Sequence, residues 1–398
     1  MKIVHISAAY EVTSVGQIVK NIHKSLLQIG HKSFVFYGRK KRKKKEKNVF
    51  FFNNNVSLFI HFLITRIFDF HGLGSVLPTL FLILKLIQIK PDIIHIHNMH
   101  GYYLNYPIFL GFLKSIKAKK IFTLHDCWTF TGHCSHFLFA DCNKWKSQCQ
   151  KCPLINKYPE SKLIDSSKTN FLLKRYFFSQ LKTSETFFIT PSKWLKSMVG
   201  LSYLKNFNTQ VIHNGIDLNI FKPSGKEFKQ KHLNKFIILG IANVWTKEKG
   251  IQFFIDLSRT LSDEFLIVLI GKIDKMYKFS SNVILIERTE SKNVLTDLYS
   301  SADVFLNPTL EDTFPTVNIE ALACGTPVIS FNSGGSIEML DSKQSKVVND
   351  RKISSIIQSI KNIKSNQIIS NDLITHIKEN FDVSISNSKY LNLYDEVL

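Results

Sequence analysis

Short runs of β-branched and aromatic residues recur along the chain, each followed by a longer stretch with helical periodicity. Ile3 to Ser7, Ser33 to Tyr37, Ile93 to His97, Ile121 to Leu124 and Phe187 to Thr190 make one series. Phe236 to Ile241, Phe265 to Ile270, Val283 to Ile286, Val304 to Leu306 and Pro327 to Phe331 make a second. Strands separated by helices are joined by crossovers and not by hairpins, so each series predicts a parallel sheet covered by helices. The architecture repeats, whereas the sequence does not.

Between the series lies Val211-Ile212-His213-Asn214-Gly215-Ile216-Asp217, followed by Phe221-Lys222-Pro223. Turn formers and a proline there mark a junction. The predicted organisation is a Rossmann-like domain over 1–210, a second over 211–375, and a helical segment over 376–398 that returns to the first domain. A length of 398 residues suits two domains, each large enough for its own core.

Composition adds constraints. Apolar residues at 44% and charged residues at 21% are ordinary globular usage and exclude a disordered chain. The opening Met1-Lys2-Ile3-Val4-His5-Ile6-Ser7 reads as a strand and lacks the apolar region and cleavage site of a signal peptide, so a cytoplasmic location is expected. Val76 to Ile89 is the most apolar stretch, but Pro78 and Lys85 interrupt it. It is also shorter than the roughly 20 residues a spanning helix needs, which makes it an amphipathic or buried helix.

A formal charge of +21 draws the protein to polyanions. The densest basic run, Arg39 to Lys45, follows a predicted strand and reads either as a solvated loop or as a contact for anionic lipid headgroups. No aromatic-interleaved basic stripe accompanies it, so nucleic acid is not an expected partner. Neither half opens with G-x-G-x-x-G; the first loop offers a donor only Gly16, which argues against a nicotinamide or flavin dinucleotide. A Walker A loop is also absent.

The chemistry concentrates in Asn307 to Ser330. Pro315 can open a short helix at its first turn and Gly325 can close it. Thr316 and Val317, with Phe314 and Pro315 leading in, then offer backbone N–H groups at a positive helix end, a seat for a diphosphate or a sugar oxygen. Glu320 lies about one turn further in, where its carboxylate can accept ribose hydroxyls, and Asp312 stands just ahead to hold sugar hydroxyls.

This stretch resembles the retaining GT-B glycosyltransferases of glycosyltransferase family 4, including enzymes of bacterial capsule, exopolysaccharide and colanic-acid type. Their mark is an acidic residue, seven residues, then Glu, followed by a small-residue helix and G-x-P-V. Asp312 and Glu320 have that spacing, and Cys324-Gly325-Thr326-Pro327-Val328 follows. The departures are Asp312 for the usual Glu and Pro315 for a common Gly. The resemblance implies an α/β GT-B fold of two Rossmann-like domains facing each other across a cleft.

Other matches extend over most of the chain. Asn332 to Glu338 looks like the family's Gly-Gly turn, with Glu338 as a further polar candidate. Ala242 to Gly250 resembles its phosphate-binding segment, with Lys249 in the lysine position and Val244 where an Arg is usual. The missing charge falls to Lys247 or Arg288, each equally readable as a solvated side chain. Alternation along Ile94 to His97 puts His95 and His97 on one face; His95 reads as part of the fold, and the resemblance makes His97 and His100 acceptor-side candidates. His125 ends a strand at its carboxyl edge and matches the family's cleft histidine, which contacts the transferred sugar.

Mechanism and partners are likewise what the resemblance implies. The donor is a nucleotide diphosphate sugar. Front-face attack lets the leaving diphosphate take the acceptor's proton, with His125, Asp312 and Glu320 as the catalytic set and no cofactor required. The cysteines are a separate matter: Cys134-x7-Cys142-x6-Cys149-x2-Cys152 fits either a structural tetrahedral zinc or the free thiols of a reducing cytosol. This insert, 127–152, resembles a subgroup that assembles surface polysaccharide. That implies a lipid-linked saccharide acceptor and a peripheral position at the inner, anionic membrane face. A basic binding module without catalysis and a GT-B epimerase are the competing classes.

Overall fold

The computed structural model describes residues 1–39, 46–287, 289, 291–340, 344–366, 368 and 370–398. The chain divides into two units, Met1–His213 together with Asn387–Leu398, and Asn214–Ser386. The first contains β1 (Lys2–Ser7), α1 (Ser14–Gln28), β2 (Lys32–Tyr37), β3 (Val49–Phe51), α2 (Asn55–Phe68) and α3 (Val76–Ile89). It continues with β4 (Ile93–His97), α4 (Tyr106–Ser115), β5 (Lys119–Thr123), α5 (Ser167–Ser179), β6 (Thr186–Thr190), α6 (Lys193–Gly200) and β7 (Asn208–Val211). The strands form one parallel sheet in the order β3-β2-β1-β4-β5-β6-β7.

The central strands β1 and β4 are buried almost throughout, as parallel strands roofed on both faces must be. Helix α1 starts where the Thr13 side chain accepts the Gly16 N–H at 3.0 Å, and it buries Val19, Ile22 and Leu26. Edge strands β3 and β7 have no predicted counterpart. Asn208-Thr209-Gln210-Val211 is largely polar because an edge strand needs only one paired side and little apolar surface.

The second unit begins with α7 (Glu227–Gln230), β8 (Phe236–Val244), α8 (Ile251–Thr260), β9 (Phe265–Lys272), β10 (Val283–Ile286) and α9 (Lys292–Ser301). There follow β11 (Val304–Asn307), α10 (Thr316–Ala323), β12 (Val328–Phe331), β13 (Lys346–Val348), α11 (Ile353–Ser365), α12 (Ser370–Asn380) and α13 (Val383–Val397). Its parallel sheet has the order β10-β9-β8-β11-β12-β13. In each sheet the order reverses beside the first strand, between β1 and β4 and between β8 and β11, so loops diverge at those carboxyl ends and leave room for ligands.

The return to the first unit begins at Asn387 within α13, later than position 376. Leu373 and Ile377 of α12 are buried with Ile319 and Ala323 of α10 and so belong to the second core. Beyond that point Tyr390, Leu393, Tyr394 and Val397 pack on Ile3, Ile93, Ile121 and Ile189. Helix α3 has the predicted bounds, but much of its apolar surface faces outward. Among the described residues no helix is long and apolar enough to cross a membrane.

Candidate active site

In the second unit, the loops after β8 and β11 are stitched together. The Leu310 N–H donates to the Glu248 carbonyl at 2.8 Å. Gly250 adopts a φ of 78°, and a Cβ on it would stand 2.2 Å from the Pro308 carbonyl oxygen. Only glycine combines that left-handed backbone with so close an approach. The stitching brings Lys249 Nζ within 2.9 Å of Asp312 Oδ2. Burial works to lower the lysine's pKa, but the Asp312 carboxylate, with Glu311 and Glu248, raises it above the ordinary value. Asp312 is itself fixed: Oδ1 accepts the Phe314 N–H at 3.1 Å, and its carbonyl accepts the Gly335 N–H at 3.1 Å. The Gly-Gly turn thus backs the acid.

Helix α10 starts directly behind this pair. Pro315 is its N-cap, with φ −72° and ψ 106°, and the first turn begins at Thr316, one residue later than predicted. A proline cap has no side chain to satisfy the first-turn amides, and no acidic residue occupies that turn. Its positive end is therefore uncompensated from within the helix. At the other end Gly325, at φ 81°, follows the Cys324 C-cap. Glu320 accepts the Tyr299 hydroxyl at 2.9 Å. Burial raises its pKa, and the hydrogen bonds from Tyr299 and Thr316 offset part of that rise.

Asn318 anchors the helix from beneath, with its Oδ1 accepting Asn307 Nδ2 at 2.8 Å and its Nδ2 donating to the Ser336 carbonyl at 3.0 Å. Tyr299 and Asn318 carry no sequence signal beyond ordinary helix and core positions. Of the predicted donor residues, Phe314 has its side chain buried beside Phe381, with ring centroids 6.1 Å apart, and its N–H donates to Asp312. Val317 is half-buried against the core, Lys247 is exposed, and Arg288 lies outside the described residues. Gly16 is in the first unit, where a Cβ would stand 2.8 Å from the Glu11 nitrogen; its small size serves the packing of the loop onto α1.

The carboxyl edge of the first sheet gathers histidines. His97 Nδ1 and His125 Nε2 lie 3.4 Å apart with the rings stacked, and the His125 N–H donates to Asn98 Oδ1 at 3.2 Å. Burial holds the His125 imidazole down at about 4 and keeps His97 well below its ordinary value. Both are neutral near pH 7. His100 instead meets a carboxylate, with Nε2 2.6 Å from Asp126 Oδ2 and Nδ1 3.2 Å from the Tyr158 hydroxyl. Burial pushes the Asp126 carboxyl up, yet the adjoining His100 outweighs it and holds the group at about 2. Asp126 had a signal, since it directly follows His125 at a strand end; Tyr158, far along the chain, had none. His95 is structural as expected, engaging Tyr394 Oη at 2.6 Å and Thr123 Oγ1 at 2.7 Å.

Residues 15–220 match the family model described as Glycosyltransferase Family 4, and residues 224–380 match that described as Glycosyl transferases group 1. The chain belongs to glycosyltransferase family 4. It is 28% identical over 279 residues to the putative colanic acid biosynthesis glycosyl transferase WcaC of Escherichia coli, a match covering 67% of this chain and 66% of that protein. It is 24% identical over 248 residues to N,N'-diacetylbacillosaminyl-diphospho-undecaprenol alpha-1,3-N-acetylgalactosaminyltransferase of Campylobacter jejuni, covering 57% of this chain and 65% of that one. The chain thus spans just under two thirds of the length of these relatives. Among solved structures, sucrose-phosphate synthase of Thermosynechococcus elongatus superposes with a TM-score of 0.69 at 13% identity, covering 100% of this chain and 99% of that one. Anabaena HepE, crystallised in complex with UDP, gives 0.69 at 14% identity with both chains covered in full. These likenesses show the GT-B fold.

The cysteine insert of this family 4 chain is built around aromatic packing. Phe137 and Trp145 stack at 4.7 Å with Phe130 against them, and Trp128 is fully buried. The Cys134 and Cys152 thiols are hydrogen-bonded to each other, which draws Cys152 below and raises Cys134 above the ordinary thiol value. Cys149 Sγ accepts the Gly132 N–H at 3.2 Å. Cys149 also interacts with Cys134, Cys142 and Cys152, so the insert brings these cysteines close together. Among the described residues, ring nitrogens of His5, His95 and His97 lie within 4.8 Å of one another, and His95 already uses both of its nitrogens.

Proposed function

We propose that this family 4 chain transfers a hexosyl unit, with retention of anomeric configuration, from a nucleotide diphosphate sugar to a lipid-linked saccharide in surface-polysaccharide assembly. The observation that carries the reading is the convergence of Lys249, Asp312 and the amino end of α10 at the carboxyl edge of one sheet, with Glu320 one turn inside. A diphosphate seated at that helix end would meet oriented amides and a lysine held charged by its neighbours. Asp312 and Glu320 would take hydroxyl groups of the sugar and the ribose.

In this reaction the bond from the anomeric carbon to the diphosphate oxygen breaks while the acceptor hydroxyl attacks from the same face, its proton passing to the departing oxygen. The chain contributes position and charge stabilisation without a protein nucleophile. Lys249 and the helix amides would meet the charge on the leaving group, and the reading calls on no metal. A neutral His125 suits a contact to the transferred sugar, since it can both donate and accept hydrogen bonds. The acceptor class is supported by relatives named for diphosphoundecaprenol-linked sugars, and a nucleotide donor by HepE, crystallised with UDP-glucose. An acceptor of that kind places the enzyme as a peripheral protein at the cytoplasmic face of the membrane.

A screen of UDP-, GDP- and dTDP-sugars for binding and turnover tests the reading. One donor is expected to turn over, and Glu320→Ala is expected to abolish that turnover with the circular dichroism spectrum unchanged. Full turnover by the variant would overturn the assignment.

A further inference from the structure

Helix α2 is built inside out. Its buried positions are His61 and Thr65, while Val56, Phe59, Ile60 and Leu63 are exposed at the i, i+3, i+4, i+7 spacing of a single face. The inversion is engineered into the packing. His61 Nδ1 meets Ser75 Oγ at 3.0 Å and its Nε2 accepts the Gly72 N–H at 2.9 Å; the Thr65 hydroxyl donates to the His61 carbonyl at 2.9 Å. Helix α3 shows Leu77, Leu80, Phe81 and Leu84 outward at the same spacing, with Leu77 76% exposed. Ser57 of α2 lies 3.3 Å from Ser75, the α3 N-cap, so the two helices begin side by side. Soluble surfaces do not present such runs of large apolar side chains without a partner.

The charge around these helices identifies the partner. From Lys47 to Pro91 the single acidic residue is Asp69, which is buried against His133. Of the basic residues there, Arg66 is paired with Glu160, whereas Lys85 Nζ stands 5.5 Å over the Phe81 ring and Lys90 is exposed, as lysines do when their stems lie along apolar surface and their ammonium groups reach for headgroups. A second copy of the same face would bring like charge against like charge. Helices of 14 residues are too short to span a bilayer but suit one that lies in the interface.

We infer that the outward faces of α2 and α3 embed in an anionic lipid bilayer. This rests on the lipid-linked acceptor of the proposed function and names the surface that would meet it. The face also leads to the sheet edge: Phe62 of α2 packs edge-on against Tyr102 at 5.7 Å, and the Arg39 guanidinium lies 5.4 Å over that same ring. An acceptor whose tail stays in the bilayer would thus meet a cation and aromatic rings at the carboxyl ends of β2 and β4.

Flotation of the full chain with vesicles of mixed phosphatidylcholine and phosphatidylglycerol tests this. The Phe59→Ser, Leu63→Ser, Leu77→Ser, Leu84→Ser variant should lose about tenfold or more in vesicle partition and keep wild-type donor hydrolysis. Glu320→Ala should do the reverse, so loss of the docking face and loss of the catalytic reading give different results. Hydrogen exchange of the unmutated chain, with and without vesicles, is expected to show new protection confined to α2 and α3. Undiminished flotation of the variant, protection elsewhere, or the same protection appearing on self-association without lipid would each overturn the inference.

Discussion

The two sheets end in loops that solve opposite problems. At the edge of the second, Lys249 and Asp312 face each other at 2.9 Å beside a helix end with no acidic residue in its first turn, so charge is concentrated where a diphosphate would sit. At the edge of the first, burial keeps His97 and His125 neutral, while Asp126 pairs with His100 and the Arg39 guanidinium lies over Tyr102. All but His232 and His376 of the fourteen histidines fall in the first unit. The same fold thus supports a charged lysine–aspartate pair in one unit and a neutral histidine pair in the other, the difference the proposed charged donor and uncharged sugar hydroxyl would call for.

The largest expected effect breaks the lysine–aspartate pair. Lys249→Ala should lower kcat/KM for the active donor by about two to three orders of magnitude, the cost of losing one preorganised group on a departing anion. It also leaves Asp312 facing the donor without its counter-ion. His97→Gln, in the neutral histidine pair, should cost less because no net charge is lost. Steady-state kinetics over a donor series rank the two, and equal losses would mean that the pairs do not differ in kind.

Acid should separate the units next. Burial holds His61 and His125 at about 4, and pushes His5, His71, His95 and His97 down as well. A histidine whose folded pKa is depressed contributes full stability above its unfolded value of 6.5, and the contribution is lost as pH falls towards the folded value. For buried His61 that is about 3 kcal/mol between pH 6.5 and 4. Glu320 works the other way, because its raised folded pKa makes the second unit gain stability as pH falls through that value towards 4.5. Hydrogen exchange resolved by unit, from pH 7 to pH 4, should show the first unit opening before the second.

How much of this was legible in the sequence depended on the type of signal. The central strands were readable because burial on both faces demands unbroken apolar runs, whereas β3, β7 and β13 were missed because an edge strand needs no such run. Asp312, Lys249 and Glu320 sit on loops and a helix start whose Pro, acid and Gly order is local. Tyr299 and Tyr158 reach their sites from distant parts of the chain, and pairwise proximity of that sort leaves no periodic trace. Phe314 lies within the motif, yet its side chain belongs to the core, which its place in the motif did not announce.

A smaller effect tests the stitching itself. Gly250→Ala places a Cβ 2.2 Å from the Pro308 carbonyl oxygen at a φ of 78°, which should cost about 1–3 kcal/mol in the second unit. Parting the two loops should also weaken donor binding severalfold. Gly16→Ala in the first unit meets the Glu11 nitrogen at 2.8 Å without a positive φ, so thermal melting should show a lesser loss and donor binding should not move.

The smallest expected change falls on Lys247, two residues from Lys249 and of the same charge. Sequence alone could not rank the two lysines as donor contacts. Lys249 is half-buried and paired with Asp312, whereas Lys247 is exposed on the outer side of the turn that closes with the Gly250 N–H on its carbonyl. An exposed lysine in water and salt contributes little to a bound anion several ångströms away. Lys247→Ala should therefore change kcat/KM by less than about threefold, and that change should vanish at high ionic strength. A loss comparable to that of Lys249→Ala, persisting in salt, would move the diphosphate to the other side of the turn and require the charged site to be redrawn around Lys247.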